Sequence, residues 1–251
     1  MKRNVIFGFA VLTVLAVLAL TVNAKDDHAY KIYTPANADE VAKDVQEEKP
    51  DSQILFIVDF SNSMNDMIRG KTKVEIARTT LAEILPKIPK NVKTGLRVYG
   101  HKTGFTYVQG CTASNLTVPL APNNARNILT SLYSCNASGW TPITYSLKQA
   151  IRYDFMGFSG KKHIILLTDG GENCDESPCT FVMELIKTRR DIFIDVIAFN
   201  IEDEDDLDQL ECTALVTSGK FYTADTACEL AEKLAKSLGV KKEVEAKIIA
   251  H

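Results

Sequence analysis

The chain has 251 residues, 45% of them hydrophobic and 24% charged, with 29 Lys and Arg against 32 Asp and Glu for a net charge of −3. That length supports one sizeable core and crowds two, and the composition excludes a collagen-like, a bulk-disordered and a multi-span membrane protein. The acidic balance argues against nucleic acid or an anionic membrane surface as the partner.

Lys2 and Arg3 precede an apolar stretch from Val5 to Leu20, and Val22-Asn23-Ala24 is small at both ends. This three-part pattern is that of a secretory signal covering residues 1–24. A retained anchor is the alternative, but the apolar run is short for a spanning helix. Cleavage after Ala24 leaves 27 basic against 32 acidic residues, a net charge of −5. A periplasmic or secreted location follows, with no membrane span after cleavage. Residues 25–50 are polar and charged and are expected as a linker.

From Gln53 the pattern becomes regular. Residues 53–58 form a continuous apolar run, suited to a strand buried on both faces. Apolar positions 74, 77, 81, 82 and 85 make a helical stripe, ended by Pro86 and Pro89. Residues 95–99 read as the next strand and 101–115 as a turn region. The strand at 115–120 follows so closely that it must run antiparallel. A short helix spans Ala125 to Leu132. Thr141-Pro142 opens another, since Pro suits a first turn. Strands at 163–168, 192–199 and 220–223 alternate with helices starting near Ser177-Pro178, Leu207 and Ala227. This order predicts an α/β domain over 51–238: a mostly parallel open sheet with one antiparallel strand and helices on both faces. The acidic run 202–208 lacks the glycine and spacing of an EF-hand loop and is better read as a helix start. The tail 239–251 is expected as a strand or extended segment that meets another chain.

All six cysteines, Cys111, Cys135, Cys174, Cys179, Cys212 and Cys228, follow residue 24. An even count in an exported chain predicts disulfides. Many connectivities are open. Pairing by sequence neighbourhood gives Cys111–Cys135, Cys174–Cys179 and Cys212–Cys228, with Cys174–Cys179 favoured by the short gap around Pro178.

Sites in an open parallel sheet form beyond the carboxyl ends of the strands. There the sequence puts Asp59-Phe60-Ser61-Asn62-Ser63 after the first strand and Asp169-Gly170-Gly171 after the strand 163–168. Thr141 stands at a helix start on the same rim. Two carboxylates and three hydroxyls are hard oxygen donors that suit a divalent cation, Mg²⁺ foremost with Ca²⁺ or Mn²⁺ as alternatives, and not zinc or copper. Neutral hydroxyl ligands leave the cation much of its charge, so an anionic oxygen from outside can complete its shell. Each residue also has a plain reading: Ser61, Ser63 and Thr141 as helix caps, Asp169 as a turn residue.

Asp-x-Ser-x-Ser after an apolar strand, then Gly-Trp-Thr-Pro-Ile, then Leu-Leu-Thr-Asp-Gly-Gly-Glu resembles the metal-ion-dependent adhesion site of von Willebrand factor A domains, in their secreted bacterial form. The likeness extends to Lys71-Thr-Lys73, to Gly95-Leu-Arg-Val-Tyr-Gly-His101 and to Glu172-Asn-Cys-Asp-Glu-Ser-Pro-Cys179. It implies a Rossmann-like fold and a non-enzymatic module for metal-dependent protein–protein interaction. Asp59, Ser61 and Ser63 would form the first metal loop, Thr141 the second and Asp169 the third. The implied partner is a protein offering an Asp or Glu carboxylate. The single Trp, Trp140, precedes Thr141 and is read either as a partner contact beside the metal or as packing over the sheet edge. A haloacid-dehalogenase-type phosphatase needs an acidic residue where Ser61 stands, and no Gly-x-Ser-x-Gly elbow occurs.

Overall fold

A computed structural model describes residues 53–240. The expected signal segment and linker lie outside these residues, as does the tail beyond Val240. The sheet has six strands: β1 (Gln53–Asp59), β4 (Lys93–Tyr99), β5 (Ser114–Ala121), β6 (Lys162–Thr168), β7 (Ile192–Phe199) and β8 (Phe221–Ala224). Strands β2 (Met67–Ile68) and β3 (Lys71–Thr72) form a separate small ribbon. The sheet order is β5-β4-β1-β6-β7-β8. Every neighbouring pair is parallel except β4 and β5, the hairpin expected from the short connection.

Central β1 is buried at all seven positions, which is why its sequence is a continuous apolar run rather than an alternation. Helices α1 (Lys73–Ile84), α3 (Ala125–Ser134) and α7 (Ala227–Leu238) share one apolar cluster with Phe56, Val58 and Ile165. Helices α4 (Ile143–Gln149), α5 (Pro178–Leu185) and α6 (Glu204–Val216) share the other with Leu55, Ile57 and Leu166. Alternate residues of one strand thus feed two cores, and the helices cover both faces as the order of elements required. The acidic run does start a helix: Asp203 caps α6 through the Asp206 amide, with Glu204, Asp205 and Asp206 in its first turn, where the helix dipole favours carboxylates. The turn region 101–115 holds one short helix, α2 (Tyr107–Cys111), too short to leave a periodic signature.

The cysteine pairing differs from all three sequence expectations. The disulfides are Cys111–Cys174 and Cys179–Cys212. Cys174 and Cys179 do not pair, because Cys179 lies in the first turn of α5 and faces α6, while Cys174 sits in the loop above β6. Cys212 and Cys228 cannot pair, since α6 and α7 cover opposite faces of the sheet. Cys111 and Cys135 part because Cys135, a buried thiol, ends α3 against Arg78, whose guanidinium donates to the carbonyls of Leu132 and Cys135.

Candidate metal centre

Strand β1 is the point where the sheet's connections diverge, with β4 on one side and β6 on the other. A crevice opens at such a switch point, beyond the carboxyl ends of the strands. Asp59 ends β1 there and is fully buried. Its Oδ1 accepts the Ser61 amide at 2.6 Å, and its Oδ2 accepts the Tyr99 hydroxyl at 3.0 Å. Thr168 Oγ1 lies 2.8 Å from Asp59 Oδ2 and 2.7 Å from the Gly170 carbonyl, so its one proton serves either acceptor in turn.

The chain turns tightly after Asp59 and pairs sideways. Ser61 bridges Gly139, the Asn62 amide donates to the Gly139 carbonyl, and the Ser138 amide to the Phe60 carbonyl. Gly100 has a positive φ of 69°, and a Cβ there would meet the Ser61 amide nitrogen at 2.5 Å, so only glycine lets β4 end this close to the first loop. The Gly139 pairing carries Thr141, buried at the start of α4, to the same rim. Ser61 stands before a short helical turn (Asn62–Asn65) yet makes no side-chain cap bond. Its Oγ instead lies 3.0 Å from Ser63 Oγ, and Ser63 Oγ donates to Asp169 Oδ1 at 2.8 Å.

Four of the five expected residues, Asp59, Ser61, Ser63 and Asp169, are therefore joined in one hydrogen-bonded run, Asp59 through the Ser61 backbone amide. Thr141 is held beside them through its backbone: its amide donates to Asn173 Oδ1 at 2.7 Å. Glu172 accepts the Thr144 amide at 2.7 Å and the Cys174 amide at 3.0 Å. The loop after β6 thus clamps the first turn of α4, and Cys111–Cys174 ties that loop to α2. Glu172 and Asn173 drew no role from the sequence because their function is to take up backbone amides, which leaves no side-chain pattern.

A second omission is Lys73. Its ammonium, almost completely buried, lies 2.9 Å from Asp169 Oδ2 and 3.4 Å from the Asn200 carbonyl. Thr72 and Glu75 form a capping box that fixes Lys73 as the first residue of α1. A basic residue at a helix N-terminus opposes the helix dipole, and that local conflict was the available signal.

Burial, and after it the negative charge of Asp169, pushes the Asp59 carboxyl up to about 7. Burial raises Asp169 as well, against the lowering effect of Lys73 and Ser63. Two buried carboxylates served by neutral donors and one ammonium are short of positive charge. Among the described residues no three His, Cys, Asp or Glu side chains gather as metal ligands, so a cation here would rest on two carboxylates and hydroxyls. That hard-oxygen set, with its charge deficit, fits a divalent cation.

An aromatic rim stands beside the site. Trp140 is partly exposed and packs on Gly110, where a Cβ would meet its ring at 2.3 Å. Tyr107 meets Trp140 edge-on with centroids 5.4 Å apart. Phe105, just before α2, and Val108 within it are exposed.

The family model for the von Willebrand factor type A domain matches residues 53–236. The chain is 27% identical over 196 residues to the uncharacterized protein YwmD of Bacillus subtilis, covering 76% of this chain and 86% of that one. The conserved hypothetical protein BatB of Bacteroides thetaiotaomicron superposes with a TM-score of 0.59 at 15% identity, over 75% of this chain and 97% of that chain. Proximal thread matrix protein 1 of the mussel byssus, with a zinc-occupied metal-ion-dependent adhesion site (MIDAS) motif, superposes with a TM-score of 0.56 at 18% identity, over 74% of this chain and 44% of that one. At these identities both structures speak for the fold.

Proposed function

The chain belongs to the von Willebrand factor type A domain family, and from that membership we propose that it is an exported binding module holding one divalent cation with Asp59, Ser61, Ser63, Thr141 and Asp169. The cation, Mg²⁺ foremost, supplies positive charge with an open coordination position. A carboxylate from an Asp or Glu of a protein partner completes the shell, and Trp140 contacts the partner beside it. The observation that supports this most is the run Asp59, Ser61, Ser63, Asp169. Ser63 gives its proton to Asp169 and takes that of Ser61, which leaves one Ser63 lone pair for a cation, and Ser61 makes no helix-cap bond.

The zinc in the mussel protein belongs to that protein's site; the donors here contain neither thiolate nor imidazole and favour harder ions. The reading includes no catalysis, since the position two residues after Asp59 carries a hydroxyl where aspartyl-phosphate chemistry needs an acid. Export is supported by the two disulfides, which persist in oxidising compartments, and no helix among the described residues is long and apolar enough to cross a membrane.

Calorimetric titration with Mg²⁺, Ca²⁺ and Mn²⁺ tests the site. One ion bound by the wild type and none by Asp59→Ala is the expected result; no ion bound by either sinks it. With a partner in hand, Trp140→Ala should weaken partner affinity while metal affinity stays. Unchanged partner affinity removes Trp140 from the interface.

A further inference from the structure

Lys73 does something that the five oxygen ligands do not. It brings a permanent cation into the rim of a site built to take another. Its place is fixed from three sides: the Thr72–Glu75 capping box sets where α1 begins, Asp169 Oδ2 takes the ammonium at 2.9 Å, and the Asn200 carbonyl lies at 3.4 Å. Asn200 adopts a left-handed backbone with φ of 56° and anchors its amide on the Ala224 carbonyl at 2.8 Å. A buried ammonium needs such partners, because desolvation is costly without them.

The consequence for Asp169 is that both of its oxygens are engaged, Oδ1 by Ser63 and Oδ2 by Lys73. The consequence for charge is equally direct. With both acids ionised, Asp59 and Asp169 carry two negative charges, Lys73 one positive, and the hydroxyls none. Asp66, the further acid acting on Asp169, is exposed and screened by water. A divalent cation therefore turns the buried centre from one surplus negative charge to one surplus positive charge.

We propose that Lys73 is a resident cation that neutralises part of the charge on Asp169 and leaves the loaded centre, with both acids ionised, one positive charge in excess, so that metal and an anionic ligand bind cooperatively. This rests on the metal-centre reading above and deepens it. Lys73 weakens the site for metal alone and makes the metal-loaded site selective for a carboxylate over a neutral oxygen ligand. By linkage, whatever the metal adds to anion affinity the anion adds to metal affinity.

The test is calorimetric titration of the full chain with Mn²⁺. Lys73→Gln keeps a donor toward Asp169 and removes the charge, while Lys73→Arg keeps the charge. Lys73→Gln should bind Mn²⁺ roughly tenfold tighter than wild type, as expected when a unit charge leaves the neighbourhood of a divalent ion. Lys73→Arg should stay near wild type. Equal or weaker binding by Lys73→Gln, or tightening by Lys73→Arg to the same degree, overturns the inference while leaving the metal centre standing. Absence of Mn²⁺ binding in every form, wild type included, overturns the metal centre and this inference with it. A measurement on the wild type alone guards against a variant that fails to fold. Replacing chloride by acetate at constant ionic strength should tighten Mn²⁺ binding by about threefold or more, as positive linkage requires, and no tightening overturns the proposal.

Discussion

Asn173 Oδ1 accepts the backbone amide of Thr141 at 2.7 Å, and the Asn173 amide in turn faces the Thr141 carbonyl at 3.4 Å. This two-way contact joins the loop after β6 to the first turn of α4 and fixes how far Thr141 stands from Asp59 and Asp169. Asn173→Ala leaves the ligand set intact and removes the brace. Its expected effect is a loss of metal affinity of roughly tenfold, the scale found for residues that orient metal ligands, with little change in the far-UV circular dichroism. A variant that binds metal as tightly as wild type would show that Thr141 needs no such support.

The two acids contribute to the pH dependence of the metal-free protein. The Asp59 carboxyl is raised from 3.8 to about 7, first by burial and then by Asp169. A group raised in the folded state contributes stability that is complete below its unfolded value and is lost as pH rises through about 7. His101 works the other way, since burial lowers its imidazole below 6.5 and acid then costs stability. Comparison with Asp59→Asn separates the two. In EDTA, the melting temperature of Asp59→Asn should exceed that of wild type by a margin that widens from pH 5 to pH 8. Saturating Mg²⁺ should shrink or reverse the margin at pH 8, because the cation favours the charged carboxylate. A margin independent of pH contradicts the assignment of strain to the buried acid pair.

The sheet was readable because its signals are local. The apolar run at Gln53–Val58, the stripes of α1 and α7 and the short link that forces β5 antiparallel each follow from spacing alone. That Asp59, Ser61, Ser63 and Asp169 share one rim was readable because the switch point of a parallel sheet says where to look. The parts that stayed hidden depend on contacts between distant segments. Lys73 meets Asp169 across 96 positions, and Glu172 serves amides rather than presenting a motif. The disulfides failed for the same reason: in a wound α/β fold, spatial neighbours are the helices on one face, not the next cysteine along the chain.

That topology makes the pairing testable. Non-reducing peptide mapping should recover Cys111 linked to Cys174 and Cys179 linked to Cys212. The first bridge closes a separation of 63 residues and the second one of 33. Chain-entropy arguments assign about 4 kcal/mol to a loop of either size, so Cys179→Ser with Cys212→Ser should lower the unfolding free energy by up to that amount without touching the metal loops. Cys111→Ser with Cys174→Ser should cost similar stability and also weaken metal binding, since Cys174 follows Asn173 directly. Equal metal affinity in both pairs of variants would show that the first bridge stabilises without positioning.

Away from the site, Arg97 and Asp154 form a buried ion pair in which Nε and Nη2 reach the two carboxylate oxygens at 2.6 and 2.7 Å. The pair depends on a π-helical turn at Ala150–Asp154, which continues α4 and carries Asp154 to Arg97. Arg97 Nη1 also donates to Ser114 Oγ at 3.0 Å, and Ser146 Oγ lies 2.9 Å from the same hydroxyl. Edge strand β5, central β4 and α4 are thereby joined through one guanidinium. Removing one partner leaves an uncompensated buried charge, which typically costs about 3–5 kcal/mol, whereas replacing both by apolar groups is often neutral. Asp154→Ala should therefore destabilise strongly in urea unfolding, and Arg97→Met with Asp154→Leu should recover most of the loss. A double variant as unstable as the single one would mean that the Ser114 and Ser146 hydroxyls, left without the guanidinium, carry the larger share.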